Sequence, residues 1–460
     1  MEDKSDQKND IEISILKGDK LFNKNTPFII NLFHQKAEGK DEKRVYVDLI
    51  CVIDISGSMT GEKIEHVRDS LIILVDMMKE KDRIALVLFS TKAHKLCDLI
   101  YLDEKNKSEV KEKIKQAKFK KPLEERGTNI TRGLEAALGI LKKEKNNKEG
   151  RSSSIILFSD GCDNYFDDVE LGEKLKSLTE GEDLNFTLNT FGYGYDHETK
   201  IMNRLANLRD GSYYFVEDYK KVGEYFTNIL GGYINNISKK SELEVKILNE
   251  KSKIVKVFGK DKLYSYELTN STFKNKMLQF ISGKEYTTVL EIFIDESNVK
   301  PGDILLEVNF KYEDIMTKKE IKLNSQYKYE LKDKAFSKVN EEYIRSRTYY
   351  IIDRALKLRE NDKYKKGYKL LEVMEAWLEK NYKGENKKYL EDILKSKKLF
   401  ENIKNLHQSS LLFLASMVNQ GTLKRMRIGN IYSNNIKNKL LNNYKLRSQS
   451  QSLVLKNKLE

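Results

Sequence analysis

The stretch Asp54-Ile-Ser56-Gly-Ser58 lies between an apolar run at 45–53 and an amphipathic stretch that begins at Met59. One carboxylate and two hydroxyls, each two residues apart, follow the end of a predicted strand. Carboxylate and hydroxyl oxygens are ligands that small divalent cations such as Mg²⁺ bind in proteins. A motif this short recurs by chance in unrelated chains, so its surroundings decide what it means.

Two further motifs follow in the chain, Gly127-Thr128-Asn129-Ile130 and, after a second apolar run, Phe158-Ser159-Asp160-Gly161. With the first stretch they resemble the von Willebrand factor type A (vWA) domain. The metal-ion-dependent adhesion site of that family begins with DxSxS and adds a Thr from a loop and an Asp after a later strand. The resemblance implies a site for Mg²⁺, with Mn²⁺ as a second candidate, formed by Asp54, Ser56, Ser58, Thr128 and Asp160.

The resemblance extends over about residues 20–330 and continues through the motifs at 190–194, 211–216 and 226–232. It is closer to intracellular vWA proteins than to the inserted domains of integrins. A competing interpretation is a vWA fold whose site has lost its metal. In such relatives the ligand positions are usually substituted, and in this chain none of them is.

Composition favours a globular protein of two or three domains, since the 460 residues are 34% charged and 39% apolar. The N-terminus is charged and has no apolar core, which does not fit a secretory signal. No apolar run approaches the eighteen or so residues of a membrane helix. Three widely spaced cysteines give no disulfide framework. We therefore expect a cytoplasmic protein.

The pattern over 45–236 alternates buried strands with amphipathic helices and predicts an α/β fold with a doubly wound, mostly parallel sheet flanked by helices. Ligands bind such sheets beyond the carboxyl ends of the strands, where Asp54 and Asp160 lie. The predicted strands are 45–53, 83–90, 154–159, 184–191 and 212–216. The predicted helices are 62–80, 106–118, 131–144, 168–178, 198–207 and 219–235.

Alternating apolar runs over 237–330 predict an antiparallel β-sandwich-like module. The run at 27–33, within 19–44, is also a strand, and we expect it to pair with that module, so that the vWA domain is an insertion. Residues 334–420 predict a helical arm with a turn at Asn361-Asp362. Residues 1–18 are expected to be disordered and residues 421–460 to form a mobile basic tail.

For several other residues a structural role explains the sequence better than a functional one. Cys51 and Cys162 flank the predicted site, but a free cysteine is usually a buried small hydrophobe. Gly192 and Gly194 lack the third glycine and helix start of a phosphate loop, so turn geometry accounts for them better. Trp377 lies on an apolar helical face, which favours a core position. The histidines are scattered and have no zinc spacing: His34, His66, His94, His197 and His407.

The sequence shows no recognisable Ser-His-Asp cluster, and a single Mg²⁺ without further carboxylates or a base does not make a phosphatase. Some relatives resemble plant ubiquitin ligases, but three Cys and five dispersed His cannot form a RING finger. We predict a non-enzymatic scaffold that binds an Asp or Glu of a protein partner through Mg²⁺. The alternatives are a structural subunit, or a RING-less regulatory or substrate-recruiting subunit of a ubiquitin-ligase-type or other enzyme complex.

Two further predictions concern the end of the domain and the tail. By family analogy, a ligand shifts the last vWA helix, with Gly231-Gly232 as a hinge. Residues 423–459 carry nine Lys and Arg and no acidic residue, which suits an acidic surface. A solvated lysine-rich tail explains the same pattern, and without an RNA-binding motif nucleic acid is not the expected partner.

Overall fold

The computed structural model describes residues 11–35, 45–117, 127–144, 150–182, 184–194, 197–216, 222–259, 263–330, 337–360, 363–381 and 387–401. The strands within these ranges are β1 Ile11–Lys17, β2 Thr26–His34, β3 Tyr46–Asp54, β4 Arg83–Phe89, β5 Ala93–Tyr101, β6 Arg151–Ser159, β7 Thr187–Tyr193, β8 Tyr213–Val216, β9 Asn236–Ile247, β10 Lys253–Val257, β11 Ser265–Leu268, β12 Thr272–Met277, β13 Phe280–Ile281, β14 Glu285–Phe293, β15 Ile304–Asp314 and β16 Glu320–Lys328. The α-helices are α1 Glu62–Met77, α2 Glu104–Gln116, α3 Ile130–Lys143, α4 Asp168–Thr179, α5 Thr199–Leu208, α6 Val222–Ile234, α7 Ser337–Glu360, α8 Tyr364–Asn381 and α9 Lys387–Glu401.

The central sheet has the strand order β5-β4-β3-β6-β7-β8. All neighbouring pairs are parallel except β4 and β5, so the sheet is mixed and mostly parallel, which confirms the predicted fold class. The strands and helices predicted for 45–236 are present. Strand β5 was not predicted, because it lies at the sheet edge and its residues are mostly exposed or half-buried, without the continuous apolar run of an inner strand.

Helices cover both faces of this sheet, and strand β3 shows how. Its odd-numbered residues, such as Leu49 and Cys51, pack into one apolar core with α1, α2 and α6. Its even-numbered residues, such as Ile50 and Val52, pack into a second core with α3, α4 and α5. Since successive side chains of a strand point to opposite faces, a strand buried on both faces is apolar throughout.

Two antiparallel sheets form the β-sandwich next to the central sheet. One has the order β1-β2-β14-β10, and the other has the order β11-β12-β9-β15-β16 with β13 paired to β9. Apolar residues of both sheets meet in one core, with Phe28 and Leu290 from the first sheet and Val245 and Phe310 from the second. Strand β2 precedes the central sheet in the chain and pairs with β14, which follows it. The central α/β unit is therefore inserted between two parts of the sandwich.

The N-terminal prediction needs a correction, because residues 11–17 form strand β1 within the stretch 1–18 that was expected to be disordered. Strand β1 pairs with β2 from Ile11 opposite His34 to Lys17 opposite Phe28. The stretch Ile-Glu-Ile-Ser-Ile-Leu-Lys has the alternation of an edge strand, and tertiary pairing stabilises what local composition leaves undecided. Residues 1–10 lie outside the described residues.

Helices α7, α8 and α9 form the C-terminal helical region and share an apolar core. Helix α7 packs on the first sandwich sheet, where Val339 and Tyr343 contact Ile29 and Val289. The ring of Trp377 stacks on Phe22 with a centroid distance of 3.8 Å, as its core assignment predicted. The turn at Asn361-Asp362, the helix predicted beyond residue 401 and the basic tail lie outside the described residues. None of the described helices is long and apolar enough to cross a membrane.

Candidate metal centre

Asp54 and Asp160 lie at the same edge of the central sheet. Asp54 is the last residue of β3, and Asp160 directly follows the last residue of β6. These two strands are parallel neighbours, with Ile53 opposite Phe158. The chain continues from β3 toward β4 on one side and from β6 toward β7 on the other. The two carboxylates therefore lie at the topological switch point, where open α/β sheets bind ligands.

The loop after β3 presents two hydroxyls above Asp54. The amide of Ser56 donates to Asp54 Oδ1 at 2.9 Å, and a short 3₁₀ turn spans Gly57–Met59. Met59 is fully buried and anchors this turn in the core. The Oγ atoms of Ser56 and Ser58 lie 3.1 Å apart. Ser56 is buried and Ser58 is exposed, so the pair leads from the interior to the surface.

The two carboxylates are both fully buried, and the charge of Asp160 acts on Asp54. Burial, together with the charge of Asp160, raises the pKa of Asp54 to about 7. Hydrogen bonds to the Asp54 carboxylate act to lower its pKa, and one of them comes from the Ser159 hydroxyl, which donates to Asp54 Oδ2 at 2.6 Å. The amide of Gly161 in turn donates to Ser159 Oγ at 2.9 Å. Ser159 thus orients Asp54. The sequence analysis did not assign it this role, although Ser159 lies within the motif at 158–161.

Thr128 is buried and is held beside the loop that follows Asp160. Asn164 Oδ1 accepts the amide of Thr128 at 2.6 Å, and the amide of Asn164 donates to the Thr128 carbonyl at 3.0 Å. Asp163 Oδ2 accepts the amide of Ile130, the first residue of α3, at 2.7 Å. Asp163 and Asn164 were also missed. The polar run directly after a strand end, Asp160-Gly-Cys-Asp-Asn164, was the signal that pointed to them.

A cation from helix α1 reaches the same place. Lys63 Nζ donates to Asp160 Oδ2 at 3.2 Å, with the Lys63 side chain 20% exposed and that of Asp160 fully buried. Sequence reasoning missed this contact because the two residues are 97 positions apart and neither the strand nor the helix pattern relates them.

The donor set fits a divalent cation. The charge of Asp160 adds to the electrostatic cost of ionising the buried Asp54, and three hydroxyl residues lie on the loops beside the two carboxylates. Hard oxygen donors with few charges suit Mg²⁺, which retains water ligands. Among the described residues there is no group of three or more His, Cys, Asp or Glu that could hold a metal ion, and the predicted set contains only two carboxylates. The hydroxyls are therefore essential to the fit.

The other residues weighed from the sequence occupy structural positions. Cys51 is buried in the core under α1 and burial raises the pKa of its thiol well above the usual range, which agrees with its core assignment. Gly194 has a φ of +86° in the turn after β7, as expected for turn geometry. Gly231 and Gly232 are buried within α6, and the hinge there stays a prediction.

Comparisons with known proteins agree with the fold of the central α/β unit. Residues 48–228 match the family model of the von Willebrand factor type A domain. An uncharacterized protein of Synechocystis sp. is 30% identical over 183 residues, which are 40% of this chain and 40% of that protein. Inter-alpha-trypsin inhibitor heavy chain H3 of Mus musculus is 29% identical over 165 residues, 35% of this chain. The match spans only 18% of the length of that heavy chain.

Two solved structures share the fold over most of this chain. A von Willebrand factor type A protein from Catenulispora acidiphila has a TM-score of 0.63 and 14% identity, covering 89% of this chain and 96% of its own. The ArnB paralog VWA2 from Sulfolobus acidocaldarius has a TM-score of 0.53 and 16% identity, and the match covers 90% of this chain and 99% of that protein. At such identities the likeness shows the fold alone. The predicted resemblance to intracellular members stays a prediction. Residues 48–228 form a von Willebrand factor type A domain within a larger chain.

Proposed function

We propose that this vWA domain binds Mg²⁺ through Asp54, Ser56, Ser58, Thr128 and Asp160, with Mn²⁺ as a substitute, and that it binds an acidic side chain of a protein partner through that ion. The observation that carries the proposal is the pair of fully buried carboxylates beneath the exposed Ser58. A buried negative charge is costly unless a cation compensates it. Lys63 pairs with Asp160, whereas Asp54 accepts hydrogen bonds from the neutral groups of Ser56 and Ser159. A small divalent ion is the cation that hydroxyl and carboxylate oxygens select.

The role of each residue follows from its position. Asp54 and Asp160 supply negative charge from the sheet edge, and Ser56, Ser58 and Thr128 supply neutral oxygens from the loops. A bound Mg²⁺ would supply positive charge at the surface, which a partner Asp or Glu can bind. A charge-paired contact of this kind, once desolvated, contributes strongly to affinity and to the choice of partner.

We further propose that the chain acts as a non-enzymatic scaffold in the cytoplasm. Binding would then depend on the metal, and the sandwich and helical region would hold the domain and offer a second contact. None of Cys51, Cys97 and Cys162 forms a disulfide, which suits a reducing compartment. The vWA family generally serves protein interaction, and this general property supports the scaffold role.

The experiment is a partner capture with purified full-length protein in Mg²⁺ or in excess EDTA. Wild-type protein should retain the partner in Mg²⁺ only, and Asp54→Ala should retain it in neither. Asp98→Ala is the matched control, since it removes a carboxylate from the exposed edge strand β5. Replacing the contacted partner Asp or Glu with Ala should abolish capture. Equal capture in EDTA would contradict the proposal.

A further inference from the structure

Lys63 brings a positive charge into the candidate metal centre. Its Nζ atom lies 3.2 Å from Asp160 Oδ2, and its side chain is four-fifths buried in this contact, with 20% exposed. An ammonium with this little exposure loses much of its hydration, and the buried carboxylate of Asp160 compensates that loss. The contact therefore belongs to the interior of the site and differs from a surface ion pair, which is weak and screened by salt.

Lys63 lies at a position of helix α1 where a positive charge does not stabilise the helix. Lys63 is the second residue of α1, which begins at Glu62. The N-terminal end of a helix carries a partial positive charge, so a cation in its first turn is unfavourable and an acidic residue is favourable. Ile64 and Val67 bury the face of α1 that packs on the sheet, and Lys63 directly precedes Ile64. The structure thus holds a cation at the metal centre at some cost to the helix.

We propose that Lys63 is a fixed positive charge of the metal centre that weakens metal binding and makes the loaded centre selective for an anionic partner group. This inference rests on the proposed function and adds the selectivity of the site. The charges of Asp54 and Asp160 cancel the two charges of a bound Mg²⁺. The ammonium of Lys63 adds one positive charge to this group, which favours a partner carboxylate over a neutral amide.

The nearby carboxylate of Asp163 does not cancel this charge in the same way. Its Oδ1 atom accepts the amides of Tyr165 at 2.8 Å and Phe166 at 2.9 Å, and its Oδ2 atom accepts the amide of Ile130. Three backbone donors and the N-terminal end of α3 compensate Asp163 locally. Lys63 and Asp160, by contrast, form a direct ion pair at the predicted ligand itself.

Removing the Lys63 charge should therefore change metal and anion binding in opposite directions. Lys63→Met keeps the length and apolar stem of the side chain and removes its charge, whereas Lys63→Arg keeps the charge. A unit charge about 4 Å from another changes an affinity by roughly fivefold with the screening of bulk water, and by more near a protein surface. Lys63→Met should bind Mn²⁺ about tenfold more tightly than wild type, and Lys63→Arg should bind Mn²⁺ much as wild type does.

The experiment uses full-length protein at pH 8 and two probes. Calorimetry with Mn²⁺ alone measures metal affinity. The relaxation of acetate methyl protons by bound Mn²⁺ then measures anion binding, with acetamide as the neutral probe of the same shape. Wild type should prefer acetate over acetamide, and Lys63→Met should lose roughly tenfold of that preference. A purely structural ion pair predicts lower stability of Lys63→Met with unchanged Mn²⁺ affinity and unchanged acetate preference, which would overturn the inference.

The outcomes separate this inference from the proposed function. If wild type binds no Mn²⁺, the metal centre itself is wrong and the inference falls with it. If wild type binds Mn²⁺ and Asp54→Ala does not, the centre stands. Equal or weaker Mn²⁺ binding by Lys63→Met would then overturn the role of Lys63 alone. The unfolding midpoint of each variant with and without Mn²⁺ gives a second reading of affinity, since a ligand stabilises the folded state that binds it.

Discussion

The two ends of strand β3 each carry a buried aspartate, and the contrast between them separates stability from function. Near the start of the strand, the carboxylate of Asp48 accepts hydrogen bonds from Arg83 Nε at 2.8 Å and Arg83 Nη2 at 2.7 Å. It also accepts one from Arg151 Nε at 2.7 Å. At the other end, Asp54 accepts the Ser56 amide and the Ser159 hydroxyl, and its pKa is raised to about 7. Fixed guanidinium groups compensate the first carboxylate. Neutral hydrogen-bond donors hold the second, beneath the exposed Ser58.

We expect the largest loss of stability at Asp48, the aspartate that two guanidinium groups compensate. Asp48→Asn leaves two buried guanidinium groups without their shared counter-charge and should lower the free energy of unfolding by about 3–5 kcal/mol. The loss should be the same in Mg²⁺ and in EDTA. Urea unfolding of the full-length protein measures it. Asp54→Asn is the matched change and should cost little in EDTA, because it removes repulsion with Asp160. Equal losses of stability in Asp48→Asn and Asp54→Asn in EDTA would show that the two ends of β3 do not differ in this way.

The pH dependence of stability should come from the Asp54 end. The pKa of Asp54 is raised to about 7 in the folded protein, whereas an unfolded Asp titrates near 4. The folded state binds the extra proton between these values. Metal-free wild type should therefore lose on the order of a few kcal/mol of stability relative to Asp54→Asn as the pH rises from about 4 to about 7.

Chemical unfolding in EDTA across this pH range tests that expectation. Above pH 7 the difference between wild type and Asp54→Asn should level off, because Asp54 is then ionised in both states of the wild type. Added Mg²⁺ should restore the lost stability at pH 8 in wild type only. A difference between the two proteins that is the same at pH 5 and pH 8 would count against the raised pKa of Asp54.

A smaller effect is expected from the residue that orients Asp54. Ser159→Ala removes the hydroxyl that donates to Asp54 Oδ2 and should cost about 1 kcal/mol of stability. Because residues behind metal ligands tune affinity, Mn²⁺ binding should weaken roughly tenfold. Ser153→Ala, near the opposite end of β6, is the control and should leave Mn²⁺ affinity unchanged. An unchanged Mn²⁺ affinity in Ser159→Ala would show that Asp54 needs no such support.

The smallest expected effect concerns residues 423–459, which lie outside the described residues. If their nine basic residues bind an acidic surface, truncation after residue 422 should weaken binding to acidic peptides at low salt and leave metal affinity unchanged. Binding by the full chain should fall steeply with added salt. Equal binding to acidic peptides, heparin and RNA by both proteins at low ionic strength would show that the tail makes no contact.

Sequence reasoning reached the central sheet because its inner strands are continuous apolar runs and its loop motifs are local. Asp54, Ser56 and Ser58 stand within five consecutive residues, and Asp160 directly follows a recognisable strand. Edge strands are less visible, because one side of their pattern is polar. Strand β1 was predicted as disorder for this reason, and β5 and β16, whose residues are mostly exposed or half-buried, were missed.

The supporting contacts of the candidate centre could not be predicted, because they join residues that are distant in the chain. Ser159 reaches Asp54 across 105 positions, and Lys63 reaches Asp160 across 97. The compensation of Asp48 by Arg151 spans 103 positions. No periodicity or local motif encodes such pairs. They arise only when the parallel strands and the first helix are assembled, and they decide which buried carboxylate is neutralised internally.

The central claim is that the Asp54 end of β3 binds a divalent cation, and calorimetry with Mg²⁺ on the full-length protein at pH 8 tests it most directly. Wild type and Asp98→Ala should each bind one Mg²⁺ per chain with a dissociation constant in the millimolar range or below. Asp54→Ala should show no saturable heat while keeping the circular dichroism spectrum of wild type. Saturable Mg²⁺ binding by Asp54→Ala with wild-type affinity, or none by wild type, would contradict the account.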